Sequence, residues 1–183
     1  MVQRILDPVR EGRTVCAAFY GHPGVFSLVP HEAIALARAE GHEAFMLPGI
    51  SAEDCLFADL GIDPASSGCI TYEATDFVIN ERLVDPSAAL VLWQIGKVGL
   101  FDTGPERSSP EALQAVVDKL AGTHPTTHPV VLYEAATLPR EAAHVTHLEL
   151  SELPATATRA AHTLYVPPAR PAAPDPRYDH LRP

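Results

Sequence analysis

The sequence predicts an α/β protein built as two lobes, and three observations carry that prediction. An apolar, β-branched run at residues 14–19 (Thr-Val-Cys-Ala-Ala-Phe) leads into a glycine-bracketed turn and then a helical stretch. A polar, turn-rich joint, Asp63-Pro64-Ala65-Ser66-Ser67-Gly68, interrupts the apolar pattern and divides residues 1–64 from residues 69–166. Beyond it, residues 88–95 (Ala-Ala-Leu-Val-Leu-Trp-Gln-Ile) form the most continuous apolar run, as expected of a central strand buried on both faces.

The elements follow in order. Residues 2–12 place Ile5, Leu6 and Val9 at helical spacing and end at Gly12, a natural C′ residue; Pro8 leaves only one turn if the helix begins near Asp7. Residues 14–19 read as a buried strand. Tyr20-Gly21-His22-Pro23-Gly24-Val25-Phe26 is the turn after it, and the helix beyond runs from Pro30 to Glu40 with Ile34, Ala35, Ala37 and Ala39 packed, closed by Gly41. Strand, turn and helix in this order would set backbone amides at the carboxyl edge of a parallel sheet, where a flat ligand can approach glycine backbone closely. The same pattern also suits an ordinary tight turn.

Residues 44–47 (Ala-Phe-Met-Leu) read as a short strand leading into a second loop, Leu47-Pro48-Gly49-Ile50-Ser51-Ala52. Ser51 is a good N-cap, with Glu53 and Asp54 in the first turn and a stripe through Cys55, Leu56 and Leu60. Such a helix start is also a place to hold a carboxylate or a ribose hydroxyl. After the joint come a strand at residues 69–72, a short helix at 75–79 and the strand ending at Trp93 and Gln94. A loop follows at residues 99–108, and Ser109-Pro110-Glu111 opens a helix through Leu120. Strands at residues 130–133, 145–150 and 162–166 complete the second lobe. Six of the last seventeen residues are proline, so residues 167–183 read as an extended tail.

Composition sets further bounds. A chain of 183 residues with 46% hydrophobic content can bury a core. Its net charge of −10 argues against a nucleic-acid partner, since phosphate binding needs a basic face. Cys16, Cys55 and Cys69 lie in apolar runs and read as buried thiols in a reducing, cytoplasmic compartment. No run is long enough to span a bilayer, so no membrane partner is expected. Of the nine histidines, His124 and His128 are flanked by prolines on a loop, and His144 and His147 are spaced to opposite faces of a strand. No metal site is expected from them, and they read as exposed or loosely packed.

The runs YGHPGVF and LPGISAED together resemble the tetrapyrrole methylase superfamily of S-adenosylmethionine (SAM) dependent methyltransferases, whose hallmarks are a Gly-Asp-Pro type loop and a Pro-Gly-Ile/Val-Ser loop. His22 stands where most members carry Asp. The wording is closest to the borosin-type branch, which N-methylates peptide backbones. The resemblance implies a two-lobed fold with the first lobe truncated at its N-terminus, SAM in the cleft between lobes, a peptide or small-molecule methyl acceptor, and a homodimer. It implies cofactor contacts at Gly21, His22, Pro23, Gly24, Val25, Phe26, Ser51 and Ala52 in the first lobe, and at Trp93, Gln94, Tyr133, Glu134 and Ala135 in the second. It also implies that the Gly-rich first strand and the helices supplying catalytic Tyr and Arg lie ahead of the matched part. Tyr20 and Tyr72 are the local candidates for the base, although a tyrosine at a strand end also serves as packing. With that segment missing, a catalytically inactive or partner-dependent SAM-binding subunit is the alternative reading.

Overall fold

A computed structural model describes residues 1–100, 107–138 and 140–181. The chain divides into two compact units, Met1–Ala58 and Asp59–Pro183.

The first unit is helical. α1 (Val2–Arg10) keeps Pro8 inside a helix that starts well before Asp7, so the expected single turn becomes nine residues. Burial of Leu6 against α2 (Leu28–Ala39) stabilises it. Both helices end as their glycines foretell. Gly12 and Gly41 take φ of +83° and +86°, and paired bonds from residues 12 and 13 to Val9 and Pro8, and from residues 41 and 42 to Arg38 and Ala37, close each helix in a Schellman motif. Arg10 forks onto Glu40 at 2.5 and 2.7 Å and holds that carboxyl below its usual range. The buried side of α2 is Pro30, Ala33 and Ala37 with Ile34 half-buried, and not the expected Ala35 and Ala39, which are exposed. α3 (Ala52–Leu60) buries Leu56.

The two strands expected here are not formed. Among the described residues no strand precedes Cys69, and residues 14–19 and 44–47 run as irregular chain with Phe45 and Leu47 66% and 70% exposed. Strand propensity is realised only through a paired neighbour, and these stretches do not pair with each other. The parallel-sheet edge inferred for the first loop is therefore not found in this unit. Cys16 is exposed and Cys55 and Cys69 are half-buried, so the expectation of buried thiols does not hold either.

The second unit carries one sheet. Its strands are β1 (Cys69–Glu73), β2 (Ala89–Trp93), β3 (Pro129–Glu134), β4 (His144–Glu149) and β5 (Thr163–Val166), in spatial order β1-β2-β5-β3-β4. Only β1 and β2 are parallel. β2 is buried at every residue, as its unbroken apolar run predicts. One face packs Leu90, Leu92, Leu132 and Leu164 against α4 (Ala74–Ile79), α5 (Pro110–Leu120) and a 3-10 turn at Leu150–Ala155. α5 is capped as its sequence dictates: Ser109 Oγ accepts from the Ala112 amide at 3.2 Å and Pro110 sits at the first helical position. Residues 101–106 of the loop expected at 99–108 lie outside the described residues.

His124 and His128 are not exposed. They are 2% and 8% accessible, with ring centroids 4.8 Å apart in an edge-to-face pair. His128 Nε2 donates to the Pro167 carbonyl at 2.9 Å, which ties the tail to the loop before β3. Thr123 gives its hydroxyl proton to the Leu120 carbonyl, so His124 Nδ1 donates to Thr123 Oγ1 and its buried Nε2 carries a lone pair. Burial, then the neighbouring His128, pushes the His124 imidazole below its ordinary value of 6.5. The unfolded chain then takes up the proton first, so the stabilisation is complete above the unfolded value and is lost as pH falls below it. The melting temperature should hold steady from about pH 8 to about 6.5 and drop below that, and His124→Gln should flatten the drop. A wild-type melting temperature unchanged down to about pH 5 overturns this account.

Candidate functional site

In the first unit the two glycine loops abut. A Cβ built on Gly49 would stand 3.0 Å from the Gly21 carbonyl oxygen and 3.3 Å from His22 Cα, and one on Gly21 would stand 3.6 Å from the Ile50 oxygen. Side-chain-free backbone is what lets these bends touch, and Gly21 also takes φ of +69°. The first loop is internally braced: the Gly24 amide donates to His22 Nδ1 at 3.0 Å, and His31 Nε2 donates to the Gly24 carbonyl at 2.9 Å. Gly24 faces Met46, whose Sδ would lie 2.6 Å from an added Cβ. Phe26 ends the loop at φ of +49°, half its surface exposed, while His22, Pro23, Gly24 and Val25 are half-buried.

The second loop ends in a closed cap. Ser51, 8% accessible, accepts from the Asp54 amide at 3.3 Å, and its own amide and hydroxyl each donate to Asp54 Oδ2 at 2.7 Å. These bonds from Ser51 hold Asp54 below the usual carboxylate range. Ala52 opens α3 beside this cap, half-buried.

In the second unit, register gathers the other expected residues at one edge of the sheet. Glu73 is level with Trp93, Leu92 and Leu132 both face Leu164, and Tyr133 faces Thr163. The carboxyl tips of β1, β2 and β3 and the start of β5 therefore lie together. Trp93 and Tyr133 are 6% and 1% accessible, and the Tyr133 hydroxyl donates to Asp59 Oδ2 at 2.7 Å. Gln94 leaves β2 in the left-handed region at φ of +56° and is exposed; Glu134 and Ala135 are half-buried.

The two tyrosines differ. Tyr72 donates its hydroxyl to the Leu83 carbonyl at 3.1 Å, and its ring stacks with Phe77 at 6.0 Å and carries the Arg82 guanidinium over it at 5.4 Å. That is a packing role. Tyr20 is 76% exposed beside the first loop. Sequence reasoning missed Asp59, Arg159 and His162 at the sheet edge; the signal was Arg159-x-x-His162 immediately before the last strand. Among the described residues, no group of three or more His, Cys, Asp or Glu side chains could hold a metal ion, and no helix is long and apolar enough to cross a membrane.

The profile of the family described as Tetrapyrrole (Corrin/Porphyrin) Methylases matches residues 1–154. The chain belongs to that family. Among curated relatives, it is 44% identical over its whole length to the methyltransferase/ribosomally synthesized cyclic peptide gymnopeptides precursor of Gymnopus fusipes, covering 44% of that protein. It is also 44% identical, over 92% of its length, to the corresponding omphalotin A precursor of Omphalotus olearius, covering 41% of it. A type I borosin cyclic peptide precursor of Serendipita vermifera subsp. bescii is 43% identical over the same share of the chain and is covered to 42%. The borosin branch read from the two loops is thus the branch of these relatives, and the chain spans less than half of their length.

The methylase fold is equally plain in solved structures. The methyltransferase CobJ matches with a TM-score of 0.66 at 19% identity, over 94% of this chain and 74% of that one. Uroporphyrin-III C-methyltransferase from Thermus thermophilus, complexed with S-adenosylhomocysteine, matches with a TM-score of 0.60 at 15% identity, over 91% and 71%.

Proposed function

We propose that this chain is a SAM-dependent methyltransferase acting on a peptide backbone amide nitrogen. The abutting glycine loops carry the reading: a bend whose Cβ space is filled by a neighbouring carbonyl is a cradle shaped for close backbone approach. Support for the cofactor comes from the family and from the S-adenosylhomocysteine complex of a structural neighbour. Support for a peptide acceptor comes from the relatives' names, each a methyltransferase joined to a cyclic peptide precursor.

In this reading Gly21, His22, Pro23, Gly24, Val25, Phe26, Ser51 and Ala52 line the cradle of the first lobe, residues 1–64. Trp93, Gln94, Tyr133, Glu134 and Ala135 bind from the second, residues 69–166. The cofactor supplies a methyl group already activated on a sulfonium, so the chain's part is to position the acceptor and exclude water. With the Tyr72 hydroxyl engaged by Leu83, Tyr20 is the local group able to hold a proton near the first loop. The free cysteines support a reducing, cytoplasmic compartment, and the family supports a homodimer.

Incubation with SAM and a candidate precursor peptide, read by intact mass, tests the reading. The expected result is a ladder of added methyl groups placed on backbone nitrogens by fragmentation. Binding of S-adenosylhomocysteine without any methylated peptide removes the acceptor claim and leaves a SAM-binding subunit, and failure to bind it removes both.

A further inference from the structure

Glu134, at the tip of β3, has one carboxylate oxygen pinned twice. Arg159 Nη2 stands 2.6 Å from Oε2 as a close ion pair, and His162 Nε2 lies 3.2 Å from the same atom. Oε2 is fully buried and is held by these charge-assisted contacts without a hydrogen bond of regular geometry, while 17% of the Glu134 side chain stays accessible. Among the described residues no hydrogen bond engages Oε1. Of the two Arg159 groups at this ring, the amide is the closer: it donates to Nδ1 at 3.0 Å, while Nε lies 3.5 Å from Nε2, so Nδ1 holds the lone pair and the proton of the neutral ring sits on Nε2, the Glu134 side. The clasp is tied into its surroundings. The His162 carbonyl accepts from the Ile95 amide at 3.0 Å, and the Arg159 carbonyl closes over Gly96, which joins the clasp to the turn following Trp93 and Gln94.

We propose that Arg159 and His162 are positioning residues that pin Oε2 of Glu134 so that Oε1 accepts a hydrogen bond from a hydroxyl or amine of the cofactor's nucleoside. The inference rests on the SAM reading above. An ionised carboxylate can only accept, so its ligand must donate, and a nucleoside offers ribose hydroxyls and an exocyclic amine. The charged and titratable groups acting on His162 are Glu134 on β3, Arg159 before β5 and His144 on β4. Burial outweighs the attraction of Glu134 and leaves the imidazole below 6.5, neutral at physiological pH. Acidification protonates Nδ1 and expels the Arg159 amide, so the clasp opens on the acid side.

Titration calorimetry of the whole chain with S-adenosylhomocysteine tests this. Glu134→Gln and Arg159→Gln should each weaken binding about tenfold or more, Arg159→Lys should restore most of the loss, and adenosine as probe should lose the same factor. His162→Gln keeps an amide donor and acceptor without titrating, so its affinity should stay flat below about pH 6 where the wild type weakens. If the wild type does not bind S-adenosylhomocysteine, the SAM reading fails. If it binds, and Glu134→Gln and Arg159→Gln stay within about twofold of it, or adenosine is unaffected, this inference alone is overturned. A wild-type affinity that does not fall with acid removes His162 from it.

Discussion

Gly96→Ala should unfold or severely destabilise the second unit. An added Cβ would lie 1.9 Å from the Arg159 carbonyl oxygen and 2.4 Å from its carbon, inside any contact distance, and both are backbone atoms with no rotamer to yield. Relief requires moving the chain before β5. That breaks the Ile95-to-His162 bond at 3.0 Å and strains the 2.7 Å bond from the Ser108 amide to the Gly96 carbonyl. Ser108 cannot follow freely, because its buried hydroxyl bridges the Ile95 carbonyl and the Val98 amide, each at 2.8 Å. Overpacking of this kind costs about 3 kcal/mol or more, a fall of roughly 6–12 °C in melting temperature. Gly122→Ala, with nothing within 4 Å of the new Cβ, is the matched control and should be near neutral. Equal melting temperatures for the two variants would overturn this account of Gly96.

Gly49→Ala should leave the second unit standing and weaken ligand binding. The new methyl would press on the Gly21 carbonyl at 3.0 Å and on His22 Cα and Pro23 Cδ at 3.3 Å, prying apart the two loops that form the proposed cradle. The loss in S-adenosylhomocysteine affinity should be tenfold or more, about 1.4 kcal/mol, by calorimetry. Gly24→Ala is the informative comparison. Its closest encounter, 2.6 Å, is with Met46 Sδ, near the end of a flexible side chain that can swing aside, so its effect on affinity should be the smaller of the two. A Gly49→Ala variant that binds as the wild type does would mean the loops' contact has no part in holding the cofactor.

Much of this could be read from residues alone because the controlling physics is local. Gly12 and Gly41 mark helix ends by the conformation that only glycine adopts without cost, and Ser109-Pro110 marks a start by capping and by a fixed φ. The unbroken run of β2 announces burial on both faces. Pro8 misled because its penalty is local while the burial of Leu6 that offsets it is tertiary. The two candidate strands of the first unit misled for the opposite reason: their propensity is local, and the neighbour that would realise it is not.

The chain's own sequence determined the helix limits, the apolar strands of the second unit and the two small-residue loops that identify its family, since each depends on neighbours a few positions away. Tertiary structure alone decided that β5, the last strand, inserts between β2 and β3, bringing Arg159 and His162 onto Glu134 and wedging the chain over Gly96. Strand order is set by which faces bury the most apolar surface together, a sum over the whole sheet that no local pattern encodes.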